Sequence, residues 1–287
     1  MIKMIIEKKN IAIIGVGLIG GSFALQCRKK EIANKIFGVD NNQHHAQEAL
    51  SLKLVDEMLE LKEAVMNADV VILAIPVDAI ISILPGILDL VTKQVVIDLG
   101  STKNLLSVSI SNHPNRSRFV AAHPMWGTEY SGPSAAVEGA FENKSVILCD
   151  LDRSAADAVE IAQHIFGMFK MSIFEMNSLD HDLHAAYVSH ISHISSFALA
   201  NTVLEKEKED QAIFEMASAG FESTVRLAKS NSDMWTPIFK QNKDNILDVL
   251  NEHIMQLKKF KSCLEKENWD YLKELIENAN QIRRIIQ

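Results

Sequence analysis

Cysteine is scarce in this chain and poorly placed for cross-linking. Its three copies, Cys27, Cys149 and Cys263, lie far apart and form no CxxC pair. An odd number at such spacing fits a reducing compartment and argues against a disulfide framework. No apolar run approaches the ~20 residues that a bilayer-spanning helix needs, so no membrane partner is expected. The stretch from Met1 to Asn10 lacks the apolar centre and small-residue cleavage site of a secretory leader. A cytoplasmic location is the expectation. Excess positive charge is missing too: the net charge is −8, with no Lys/Arg block to offset it. That speaks against nucleic acid as a partner. No internal repeat and no low-complexity segment is present.

What the chain does have is two kinds of patterning. Its 287 residues exceed one average domain. The first part alternates short apolar runs, at 11–15, 36–39, 70–75, 95–99, 119–122, 145–149 and 171–174, with helical stretches. Near-continuous apolar strands of this kind belong to a mostly parallel sheet covered on both faces. After Phe174 no strand signal recurs, and helical periods are predicted over 178–204, 211–230, 236–265 and 269–286. Ser178 is expected near the cap of the first, and Pro237 in the opening turn of the third.

The first strand runs directly into Gly15-Val16-Gly17-Leu18-Ile19-Gly20, and a helix follows. The first glycine makes the tight turn, the second admits a pyrophosphate, and the third lets helix pack on strand. The helix start offers orphan N–H groups to an anion. The second strand ends in Asp40, where an acid meets the adenosine ribose hydroxyls, and no arginine follows to accept a 2′-phosphate. NAD is therefore the expected cofactor, with Ile75 and Pro76 lining the loop after the strand at 70–75. The fold class is α/β: a doubly wound Rossmann-type dinucleotide-binding domain over 1–175, then an all-α domain over 176–287. Helical partners of such domains often dimerise, so a homodimer is expected.

In open α/β sheets the ligand sits beyond the carboxyl ends of the strands. Two further segments are candidates on that ground. Gly100-Ser101-Thr102-Lys103 follows one strand, and Ser101 or Thr102 could equally cap a helix. His123-Pro124-Met125-Trp126-Gly127-Thr128-Glu129 follows another. A histidine there offers a proton acceptor near neutrality, and Pro124 stiffens the backbone behind it. Gly127 would permit close approach of backbone or ligand. A strand-ending turn with a hydrogen-bonded histidine accounts for this segment equally well on its own.

Taken with Gly15–Gly20 and Asp40, these segments resemble the prephenate/arogenate dehydrogenase family, as do Ser189-His190-Ile191-Ser192-His193, Arg226–Ser230 and Met234-Trp235. The resemblance implies an NAD-dependent oxidative decarboxylation of prephenate, or of arogenate, in tyrosine biosynthesis. It implies His123 as general base toward the ring hydroxyl and Ser101 as the residue that helps place it. It implies Arg226 as the grip on a substrate carboxylate, His190 and His193 as pocket-facing histidines, and Thr128 and Glu129 as gating or substrate-contacting residues. Two departures bear on pocket shape: Ser192 stands where many members have proline, and Trp126 and Tyr130 are bulky.

The same residues admit other readings. On a helical wheel His181 and His184 fall opposite His190 and His193, so four histidines cannot wrap one ion, and no metal is expected. His181 and His184 are expected on a polar helix face. A β-hydroxyacid dehydrogenase would rely on a helical-domain lysine such as Lys229 or Lys240, which leaves His123 without a task. A dinucleotide-sensing regulator would bind NAD without turnover.

Overall fold

The computed structural model describes residues 8–208 and 213–285. Eight strands form one sheet: β1 (Lys9–Ile14), β2 (Ala33–Val39), β3 (Glu57–Met58), β4 (Val70–Leu73), β5 (Val95–Asp98), β6 (Phe119–Pro124), β7 (Ser145–Cys149) and β8 (Ser172–Met176). Their order is β3-β2-β1-β4-β5-β6-β7-β8, with the reversal of order between β1 and β4. Ile11 and Ile13 enter the core on one face while Ala12 and Ile14 enter it on the other. Both faces are dry, which is why the strands read as unbroken apolar runs. On one face Phe23, Phe141, Phe166 and Phe169 pack edge-on and stacked, with Phe23 and Phe169 centroids 5.0 Å apart.

Three departures from the expected pattern have physical reasons. β3 was not anticipated, because two residues carry no periodic signal. β6 runs two residues past Ala122, so His123 lies within the strand, paired opposite Ile147. β7 runs antiparallel to β6, whereas every other neighbouring pair is parallel. The link between β6 and β7 holds only the short turn Pro133–Ala135. Without a crossover helix the chain returns alongside the strand it left.

Beyond β8 the structure is helical. The first expected helix is nearly continuous from Ser178 to Glu207, but Asn177, one residue earlier than expected, caps it through the Asp180 N–H. A single π turn, Ala186–His190, interrupts it and ends on His190. Such bulges re-aim a side chain without proline, so Ser192 does not leave this helix regular. The helix expected over 211–230 begins outside the described residues and is seen as Ala219–Val225 followed by a 3₁₀ turn at Arg226–Lys229. The third splits at Asn242 into Ser232–Gln241 and Lys243–Glu265, which puts Pro237 inside a helix and not in its first turn. The fourth is helical over Trp269–Ala279, and its expected end at 286 lies outside the described residues.

The chain divides into two compact units, Met1–Asn242 and Lys243–Gln287. The first holds the sheet and every site residue discussed below. Among the described residues no helix is long and apolar enough to cross a membrane. The three cysteines are free and buried.

Candidate active site

The glycine turn is built by exclusion of side chains. Gly15 has φ +91°, and a Cβ there would lie 2.6 Å from the Ala74 carbonyl oxygen and 2.6 Å from Ile75 Cγ2. A Cβ on Gly20 would lie 1.9 Å from the Gly15 carbonyl oxygen. A Cβ on Gly17 would meet nothing nearer than the Gly132 nitrogen at 3.9 Å. The first and third glycines thus close protein against protein, and the second faces open space.

The helix Leu18–Lys29 starts at this turn, with Gly21 N–H its first donor, to the Gly17 carbonyl at 2.7 Å. The N–H groups of Leu18, Ile19 and Gly20 are left for an anion at the positive end of the helix. Asp40 sits at the end of β2, its carboxylate accepting from Val16 N–H at 3.1 Å and Asn42 N–H at 2.9 Å. Ile75 presses on Gly15, and Pro76 opens the helix Val77–Leu90. These residues fit NAD: room for a diphosphate at Gly17, free donors beneath it, and a fixed acid on the adjoining strand.

On the same carboxyl edge the next strands bring together a buried polar cluster. Lys103 is fully buried, and its ammonium pairs with the equally buried Asp98. Asp98 also accepts from Gly100 N–H at 3.0 Å and Ala122 N–H at 3.2 Å, which ties β5, the turn after it and β6 together. Ser101 is half-buried in that turn, and Thr102 donates to Gln241 Oε1 at 2.6 Å. Neither side chain caps the helix Asn104–Ser109. Its first N–H groups, those of Lys103 and Asn104, are instead taken by Asp182 at 2.8 and 2.9 Å.

His123 lies beside this cluster. Its Nδ1 is 2.8 Å from Nε2 of His181, and the two rings meet edge to face at 5.0 Å. His181 Nδ1 in turn lies 2.8 Å from Asp182 Oδ1. His181 is therefore not on the polar helix face expected for it: it is 2% exposed, while His184 is exposed. Enclosure of the ring, with the positive Lys103 and the neighbouring His181 and His190, holds the His123 pKa well below the usual imidazole range. His123 is uncharged and able to accept a proton at neutral pH.

The remaining candidates separate into two groups. His190 is 1% exposed; its Nδ1 is 3.1 Å from Asn242 Nδ2, and Trp235 and Phe239 pack edge-on against it. Burial pulls its pKa down to about 4. His190 thus backs the wall of the site. His193 is half-buried, stacks on Trp235 at 3.4 Å and lies 3.0 Å from the Ser189 carbonyl through Nδ1. Burial, with the Arg226 guanidinium a smaller contributor, keeps its pKa below the ordinary value.

Arg226 reaches Glu129 at 3.4 Å and so bridges the helical segment to the loop after His123. Thr128 accepts from Tyr130 N–H at 3.3 Å. Trp126 turns away onto Phe141 at 5.6 Å, and Tyr130 is exposed, so Trp126 packs into the core instead of narrowing a pocket. A Cβ on Gly127 would have open space around it, so no protein backbone approaches there. Among the described residues no group of three or more His, Cys, Asp or Glu side chains is arranged to hold a metal ion. Sequence reasoning missed His181 and Asp182. The only local signal was an adjacent His-Asp pair just inside a capped helix.

Two family models match the chain: "Prephenate dehydrogenase, nucleotide-binding domain" over residues 23–175 and "Prephenate dehydrogenase, dimerization domain" over 177–278. The prephenate dehydrogenase of Bacillus subtilis is 31% identical over 280 residues, 96% of this chain and 76% of that protein. The cyclohexadienyl dehydrogenase of Zymomonas mobilis is 30% identical, over 96% of this chain and 95% of its own length. The crystal structure of prephenate dehydrogenase from Aquifex aeolicus with hydroxyphenyl propionate and NAD+ superposes with a TM-score of 0.88. That match is at 28% identity and covers 99% of this chain and 100% of that one.

Proposed function

Because the chain belongs to the prephenate dehydrogenase family, we propose that it oxidatively decarboxylates prephenate to 4-hydroxyphenylpyruvate with NAD. The observation that carries this reading is the placement of His123, hydrogen-bonded to His181, on the same carboxyl edge of the sheet as the dinucleotide turn. NAD, when bound, supplies the hydride acceptor.

The chain's own residues supply the rest. His123 takes the proton of the ring hydroxyl as the carbinol carbon gives up its hydride, and the carbon becomes a dienone carbonyl. The bond to the ring carboxylate then breaks, carbon dioxide leaves, and its electron pair makes the ring aromatic. The phenolate formed recovers its proton from His123. Proton and charge balance without any outside acid, and one side chain serves as base and then as acid.

Arg226 holds a substrate carboxylate, a task suited to its planar fork of donors. Its present partner, Glu129, is the carboxylate that substrate would replace. Ser101 hydrogen-bonds near the reacting hydroxyl, and His193 and Thr128 line the site, with His190 behind them. Gly15, Gly17, Leu18, Ile19 and Gly20 hold the diphosphate, Asp40 the ribose, and Ile75 and Pro76 the wall beside it.

Residues 1–175 then serve the dinucleotide, and 176–287 serve substrate binding and a homodimer in the cytoplasm. Exposed Ile254, Leu257, Leu264, Trp269 and Ile276 support a partner for the last two helices. The test is direct: mix protein and NAD+ with prephenate or with arogenate and follow NADH absorbance. Faster turnover of prephenate supports the reading; turnover of arogenate alone changes the substrate, and none with either overturns it.

A further inference from the structure

We propose that His181 and Asp182 are positioning residues that hold His123 in one tautomer, with its proton on Nδ1 and Nε2 bare for the substrate. This rests on the reading of His123 as the base. It follows from an ordered line of donors and acceptors. The Asp182 carboxylate already accepts two backbone N–H groups, from Lys103 and Asn104. A carboxylate so placed has no proton to give, so the short contact at 2.8 Å requires His181 to donate from Nδ1. A His181 ring carrying its one proton on Nδ1 has a lone pair on Nε2. The next contact, also 2.8 Å, requires His123 to donate from Nδ1. One ring nitrogen of His123 remains, and it is an acceptor.

Among the described residues, the other groups facing His123 do not do this work. Lys103 is committed to Asp98. His190 is engaged by Asn242 and held neutral. Neither of these groups is hydrogen-bonded to the His123 ring, whereas His181 is, and His181 is backed by the Asp182 carboxylate. When His123 takes a proton, its Nδ1–H points along that line, and Asp182 balances the charge from the far end. Asp182 also anchors the backbone at Lys103 and Asn104, so the orientation of the base and the placing of Ser101 depend on one side chain. A half-buried histidine that served only packing would need neither the second ring nor the carboxylate behind it.

The experiment is ¹⁵N NMR of the full-length protein labelled at histidine ring nitrogens, together with kinetics of variants. In the wild type, His123 is expected with Nδ1 protonated and Nε2 bare. His181→Phe removes the acceptor, so the proton redistributes to Nε2 and kcat falls about 100-fold with KM little changed. His181→Gln puts a carbonyl oxygen near the lost Nε2; it keeps the tautomer and recovers most of kcat. A wild-type ring protonated on Nε2 overturns the proposal even if neither variant folds. So does a folded His181→Phe protein with wild-type kcat while His123→Asn is inactive. If His123→Asn turns over normally, the base assignment fails, and the tautomer spectrum still decides the positioning role by itself.

Discussion

The glycine turn allows a paired test in which one methyl group is placed at two positions three residues apart. In Gly20→Ala the new Cβ would lie 1.9 Å from the Gly15 carbonyl oxygen and 2.9 Å from Ile13 Cγ2. Backbone, not a flexible side-chain tip, must then move, and overpacking of that kind costs about 3 kcal/mol. For a protein of this size that is a fall in Tm of about 5–10 °C.

In Gly17→Ala the Cβ meets nothing within 3.9 Å, and the backbone at φ −73° is one that alanine adopts freely. Stability should be unchanged, or raised slightly through the unfolded chain. The methyl group instead occupies the approach to the donors of Leu18, Ile19 and Gly20. Loss of one charge-assisted hydrogen bond to a diphosphate, about 1.5–3 kcal/mol, weakens NAD+ binding by about tenfold or more. Thermal unfolding without ligand and calorimetric titration with NAD+ separate the two effects. Gly17→Ala with wild-type NAD+ affinity, or with the same loss of Tm as Gly20→Ala, would refute the division of labour among these glycines.

Three other outcomes follow from the site. Lys103→Met strands the fully buried Asp98 carboxylate and should lower unfolding free energy by about 3–5 kcal/mol in denaturant titrations at neutral pH; a loss below 1 kcal/mol would show the pair to be dispensable. His190 binds its proton less tightly folded, at about 4, than unfolded, at about 6.5, so the stability it contributes is present above pH 6.5 and is lost as pH falls toward 4. The loss amounts to about 3 kcal/mol over that window, and His190→Gln should flatten it. Arg226→Ala should raise KM for substrate about tenfold or more and leave kcat nearly unchanged, and an unaltered KM would remove Arg226 from the carboxylate site.

Local features were legible in the sequence, and features joining distant segments were not. β1, β4 and β5 are buried on both faces, so Ile11–Ile14, Val70–Leu73 and Val95–Asp98 announce themselves by apolarity alone. The dinucleotide turn is one contiguous motif whose glycines each answer a nearby atom. Strand direction has no such signature, and β7 runs antiparallel only because no helix intervenes after β6. The break at Asn242 has a tertiary cause: its amide is held by the Asp182 carbonyl at 2.6 Å and by His190. The cap on Asn104–Ser109 comes from a residue 79 positions beyond Lys103, and His181 lies 58 positions beyond His123. Periodicity placed His181 on a helix but could not show that this face meets β6. His190 belongs to the same case, since only the packing of Trp235 and Phe239 shows it to be enclosed.

The central claim is that His123 moves the hydroxyl proton, and His123→Asn tests it most directly. Steady-state kinetics with prephenate and NAD+, on protein shown to be folded, should find kcat lower by about 100-fold or more and KM for prephenate close to wild type, because the lost interaction belongs to the transition state. A variant that retains wild-type kcat, or that loses activity only through a raised KM, would contradict the claim.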